Sequence, residues 1–141
     1  MESTTKTKIT IEAIINAPIS KVWSAWNNPE DVMKWNMASP DWHCPAATND
    51  LRVGGKFVYT MAARDGSMSF DFEGVYTNVI DNELIEYVLA DAREISIVFS
   101  TEGSTTRVVE TFDPENENPV EMQRSGWQSI LDNFKSYVEN L

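Results

Sequence analysis

A chain of 141 residues has the length of one globular domain and can bury roughly two-thirds of its unfolded surface in a single core. Eleven Lys and Arg against 22 Asp and Glu leave a formal charge of −11, the wrong sign for a phosphate-binding footprint, so nucleic acid is not an expected partner. One cysteine, Cys44, excludes an internal disulfide framework and a multi-cysteine zinc site, and one histidine, His43, excludes paired-histidine metal motifs.

Residues 1–8 (MESTTKTK) lack the apolar core of a signal peptide, and no apolar run approaches the roughly 18 residues of a membrane span. The expectation is one cytoplasmic domain over 1–141, flexible at 1–7. Charge is uneven: six basic and six acidic residues in 1–56, five basic and sixteen acidic in 57–141. This excess is either a solvated, solubilising surface or a docking face for a basic partner.

Residues 8–15 (KITIEAII) alternate, with Ile9, Ile11, Ala13 and Ile15 on one face, which predicts a half-buried strand. At Pro18 the period changes, and Ile19, Val22, Trp23 and Trp26 share one helical stripe with Pro18 in the first turn. Asn28-Pro29-Glu30-Asp31 repeats the start signal and predicts a short helix over about 29–35. Residues 36–50 (NMASPDWHCPAATND) show no clean period and read as a long loop carrying Met37, Trp42, His43 and Cys44. Gly54-Gly55 marks a sharp turn or bulge.

From 56 to 113 the chain reads as a strand meander. Phe57, Tyr59 and Met61 alternate with Val58 and Thr60; Met68, Phe70, Phe72, Gly74 and Tyr76 alternate with Ser69, Asp71, Glu73 and Val75. Leu84–Leu89, Ile95–Phe99 and Thr105–Phe112 follow, separated by turns at Asp65-Gly66, Asp81-Asn82, Asp91-Ala92 and Glu102-Gly103. Turns this short join antiparallel neighbours. Asn118-Pro119-Val120-Glu121 then reads as a capped helix start. Met122, Trp127, Ile130, Leu131, Phe134, Val138 and Leu141 recur at spacings of three and four, which predicts a closing helix of about 22 residues lying on the sheet.

Several segments together resemble one family. They are Ala17-Pro18 with Val22-Trp23, Trp35, Asp50–Phe57 (DLRVGGKF), Phe72–Tyr76 (FEGVY) and Gly126-Trp127 with Leu131 and Phe134. In this order they are similar to the activator of Hsp90 ATPase homologue family, within the START/Bet v 1-like (SRPBCC) superfamily, over about residues 8–140. Trp35-Asn36 through Asp41-Trp42-His43-Cys44-Pro45 resembles a bacterial branch of small stand-alone members. The resemblance implies an α+β helix-grip fold: a curved antiparallel sheet wrapped around a long C-terminal helix, in the order strand, two helices, five or six strands, helix. It also implies a sheet–helix cavity for a small apolar, lipid-, polyketide- or flavonoid-like molecule. The Hsp90-binding domain of the eukaryotic co-chaperone is a separate N-terminal one, so Hsp90 is not an expected partner here. A monomer or weak homodimer is expected, with no cofactor and no metal.

The candidate ligand-contacting set is Trp35, Trp42, His43, Phe57, Tyr59, Met61, Phe70, Phe72, Tyr76, Phe99, Glu110, Met122 and Trp127. The strand aromatics and Met61 form either a filled core or the floor of an incompletely filled pocket. Trp127 and Met122 would be its helix wall. Trp35 and Trp42 either anchor the 36–50 loop or let it act as a gate, with His43 offering one hydrogen bond. Glu110 points inward on the phase of Val108 and Phe112 and outward on that of Val109; inward, it calls for Arg64, Arg107, Arg124 or His43 as a partner. Cys44 beside His43 is not a catalytic pair, because adjacent side chains in extended chain point apart. Binding is the expected function. The alternatives are a cyclase- or hydratase-type enzyme using His43 or Glu110, and an interaction module using the acidic surface.

Overall fold

Alternation at the start of the chain produces β1 (Ile9–Ile15), in which Ile9, Ile11, Ala13 and Ile15 are buried and the residues between them are exposed. The computed structural model describes residues 8–141, so the flexibility expected of 1–7 lies outside the described residues. Pro18 is not in the first helical turn but precedes it in extended conformation (ψ 154°), and α1 (Ile19–Asn27) buries Val22 and Ala25. In α2 (Pro29–Trp35) the start signal forms as read: Asn28 accepts from the Glu30 amide at 3.1 Å and Pro29 opens the helix. Trp35 Nε1 donates to the Ala25 carbonyl at 2.9 Å and locks the two helices together.

The segment read as a long loop is instead largely a strand. β2 (Trp42–Asn49) pairs with β3 (Lys56–Ala63), with a register irregularity between His43 and Ala46 that contains Pro45. Pro lacks a ladder donor, which an edge strand tolerates at a bulge, and the bulge also erases the period-two pattern. The turn after β2 closes tightly, since a Cβ on Gly55 would lie 2.1 Å from the Asp50 carbonyl oxygen.

The meander continues through β4 (Ser69–Ile80), β5 (Leu84–Leu89), β6 (Glu94–Glu102) and β7 (Thr105–Phe112). Six strands thus follow the helices, and all seven form one curved antiparallel half-barrel in the order β1-β7-β6-β5-β4-β3-β2. A register shift between Tyr76 and Asn78 breaks the long β4 ladder. Gly74 lies in β4 where a Cβ would come within 2.9 Å of the Phe57 ring and 3.1 Å of Tyr87. Its missing side chain lets those rings meet across the strand, 4.7 Å apart between centroids.

The last helix, α3 (Val120–Glu139), has 20 residues and lies in the concave face with Leu131, Phe134 and Val138 fully buried. Phe134 meets Trp35 at 4.7 Å and Trp26 at 4.9 Å, so the three helices share an aromatic cluster. The expected Asn118 cap does not form. Pro119 holds the cap position, and the buried Gln123 amide reaches back to Glu115 and Asn118. Arg124 and Gln128 of α3 donate to the Thr10 and Glu12 carbonyls of β1, both at 3.2 Å. No helix among the described residues is long and apolar enough to cross a membrane.

Candidate functional site

Sheet and helix do not close on each other completely. Between the concave face and α3 lies a cavity of about 170 Å³. Pleat and curvature set its floor: Phe57, Tyr59 and Met61 alternate inward on β3, Phe70 and Phe72 on β4, Tyr87 on β5 and Glu110 on β7. Trp26, Trp35 and Asn36 bound one side, and Trp127 and Ile130 of α3 form the roof. Trp127 is fixed by stacking on Phe112 at 3.8 Å and by an edge contact with Phe72 at 5.9 Å. Phe70, 51% exposed, marks the rim.

The lining is aromatic with few polar groups, each with a distinct state. Asn36 Nδ2 donates to Met61 Sδ at 3.4 Å. Tyr59 shares a hydrogen bond with Tyr76, which donates to Asn49 Oδ1 at 2.5 Å. Burial pushes the Tyr59 and Tyr87 hydroxyls well above the ordinary phenol value and Tyr76 to about 12. Glu110 is 5% exposed, pairs in register with Ile11 on one side and Ile97 on the other, and is pushed up to about 8 by burial. Its carboxyl therefore keeps its proton at neutral pH and can donate a hydrogen bond.

None of the partners expected for Glu110 reaches it. Arg107 lies on the other face with Glu12 and Glu102, Arg124 bonds Glu121 and Thr10, and Arg64 bonds the Pro40 carbonyl. Glu110 makes no hydrogen bond or ion pair among the described residues.

Of the thirteen residues singled out in the sequence, eight line the cavity: Trp35, Phe57, Tyr59, Met61, Phe70, Phe72, Glu110 and Trp127. Five do not. Tyr76 and Phe99 face inward as parity requires but sit away from the space, Tyr76 against Phe57 and Phe99 against Trp23 and Trp26. Met122 is 63% exposed near the start of α3 and is not a wall. Trp42 supports the rim through an edge contact with Phe70 at 6.0 Å. His43 pairs with Ala62, whose neighbour Met61 faces inward, so the pleat turns His43 to the outer face. The segment carrying both is hydrogen-bonded to β3 and is not a free gate.

Trp26, Asn36, Tyr87 and Ile130 line the cavity without having been singled out. Trp26 and Ile130 belong to helical stripes read as core, and Tyr87 shares the parity of the buried Ile85 and Leu89. Asn36 carries no sequence signal. Cys44 is buried, donates to the Ala46 carbonyl at 3.4 Å and has a raised pKa, chiefly from desolvation, so it is not an activated thiol. Among the described residues no group of three or more His, Cys, Asp or Glu is placed to hold a metal ion.

A curved seven-stranded sheet gripping a C-terminal helix over an aromatic cavity defines a helix-grip domain of the START/Bet v 1-like kind. The family model described as activator of Hsp90 ATPase homolog 1-like protein matches residues 16–139, and the chain belongs to that family. A solution structure of an AHSA1-like protein from Aeromonas hydrophila is 48% identical over 95% of this chain and 93% of its own, with a TM-score of 0.89. A solution structure from Cytophaga hutchinsonii is 60% identical over 94% of this chain and 92% of its own, with a TM-score of 0.83. A crystal structure from Nitrosomonas europaea, 18% identical over 94% of each chain at a TM-score of 0.81, shows the shared fold alone. No curated protein matches the chain.

Proposed function

We propose that this protein binds a small, mostly apolar aromatic molecule between the sheet and α3. The observation that carries this reading is the cavity itself, about 170 Å³ and walled by rings from both sheet and helices. An apolar cavity of about 150 Å³ is enough to take up benzene. The space as it stands suits one ring with a small substituent, and a polycyclic ligand requires the rim at Phe70 to move. Binding is driven by desolvating ring surface, with the few polar groups fixing orientation. One-ring probes should bind on the order of 0.1–1 mM, because so few atoms are buried.

Titration of mixed libraries (lipids, flavonoids, polyketides and one-ring aromatics) into isotope-labelled protein tests the reading by amide and side-chain shifts. Perturbations should gather at Tyr59, Phe72 and Trp127. Flat titrations across every class would refute it.

One observation favours a second reading. Glu110, buried on the cavity and pushed up to about 8, has the position and pKa of a general acid. An enzyme of that kind would show turnover that declines as pH rises through about 8 and is abolished by Glu110→Gln.

A further inference from the structure

Glu110 and Tyr87 enter the cavity from strands two apart, β7 and β5, with β6 between them. Neither carboxyl nor hydroxyl has a hydrogen-bond partner among the described residues, yet the residues carrying them are 5% and 7% exposed. They feel one another, since the Glu110 carboxyl follows desolvation as a cause of the raised Tyr87 pKa. Their oxygens are not sealed in protein but open onto the cavity, and in so apolar a space an acceptor brought in by a guest gives both O–H groups a partner.

We propose that the bound molecule is a neutral aryl carbonyl compound whose oxygen accepts from both Glu110 and Tyr87 while its ring lies among Phe57, Phe72 and Trp127. This rests on the cavity being a binding site and adds what it selects. A carbonyl oxygen has two lone pairs and can take both donors at once. The charge of the ligand follows from the lining, which contains no Lys, Arg or His. A carboxylate would be buried beside Glu110 with no cation in the lining, and Arg93, whose charge reaches Tyr87 from outside it, is already paired with Asp91. An ammonium would require Glu110 to ionise among Ile11, Ile97, Val108 and Phe112, all buried. At neutral pH the carboxyl keeps its proton, pushed up to about 8 by burial. The lining holds no other carboxylate and no imidazole to serve as a base, so the pair holds and polarises the carbonyl without deprotonating its neighbour carbon.

The experiment compares four one-ring probes of similar size: acetophenone, cumene, benzoate and benzylammonium, titrated at neutral pH by amide shifts and tryptophan fluorescence. Acetophenone should bind about tenfold more tightly than cumene, as two net hydrogen bonds give, and the two charged probes at least tenfold more weakly than acetophenone. Tyr87→Phe and Glu110→Leu should each remove about threefold or more of the acetophenone preference and leave cumene within about twofold. On the unaltered protein, the infrared carbonyl stretch of bound acetophenone should lie at or below its position in water. Equal binding of acetophenone and cumene, tighter binding of benzylammonium, or a carbonyl stretch at its position in an alkane overturns this inference while leaving the cavity a binding site. Failure of all four probes to bind overturns this inference, and flat titrations across every library class overturn the binding reading with it.

Discussion

Replacing Glu110 by Gln tests the buried carboxyl through stability alone, with no ligand needed. An acid at 4.5 in the unfolded chain and about 8 in the folded one makes the unfolded state the better place for the charge. Below pH 4.5 both states hold the proton and nothing is lost. Between 4.5 and about 8 the unfolded chain has released its proton while the folded chain keeps it, so stability falls as pH rises. The slope is about 1.4 kcal/mol per pH unit, and over the gap from 4.5 to about 8 the loss reaches about 5 kcal/mol. Glutamine keeps the shape and the hydrogen-bonding capacity and does not titrate. The assay is urea unfolding of both proteins at a series of pH values from about 5 to about 9.5, fitted by linear extrapolation. All other titrating groups are common to both proteins and cancel in the difference. The stability of the native chain minus that of Glu110→Gln should fall steadily up to about pH 8 and then level off. A difference independent of pH would refute the reasoning.

Three further substitutions probe the frame of the cavity. Gly74→Ala places a methyl 2.9 Å from the Phe57 ring, and the overpacking should cost about 1–3 kcal/mol in urea unfolding; an unchanged midpoint would show that the rings are free to shift. Phe134→Ala empties a fully buried site between Trp26 and Trp35 and should cost about 3–5 kcal/mol, with a smaller loss indicating collapse of the helices into the gap. Ala92 holds φ at 73° in the β5–β6 turn, a conformation that strains an L residue, so Ala92→Gly should raise stability by about 1 kcal/mol in thermal unfolding; a decrease would mean that chain entropy outweighs the relief.

The fold was legible because most of it is written in clean periods. Ile9–Ile15, Leu84–Leu89 and Thr105–Phe112 each bury one face, and their ends fall at turn residues such as Asp81-Asn82 and Glu102-Gly103. β2 was not legible, because Pro45 and the bulge break the alternation and because Asn and Asp at both flanks read as loop. The site was legible only in one dimension. Side-chain parity tells which face a strand residue takes, which is why Phe57, Tyr59 and Phe72 are readable as inward-facing, as the helical period makes Trp127 readable on α3. It does not tell where along a curved groove packing fails, so Tyr76 and Phe99 were included although both lie against other rings. Glu110 shows the same limit from the other side. Its two phases were equally open in sequence, and the register of β7 between β1 and β6 decided the matter by setting it opposite Ile11 and Ile97.

An open sheet has two borders, and the one at β1 is sealed by the chain itself. The Arg124 and Gln128 side chains occupy carbonyls that an incoming strand would need, so strand donation and fibril growth from that border are blocked at Thr10 and Glu12. The opposite border, at β2, is protected by different means, since Pro45 offers no donor and the kink around it spoils the template. A half-barrel that does not close on itself thus carries a separate guard on each of its two borders against pairing with a second copy.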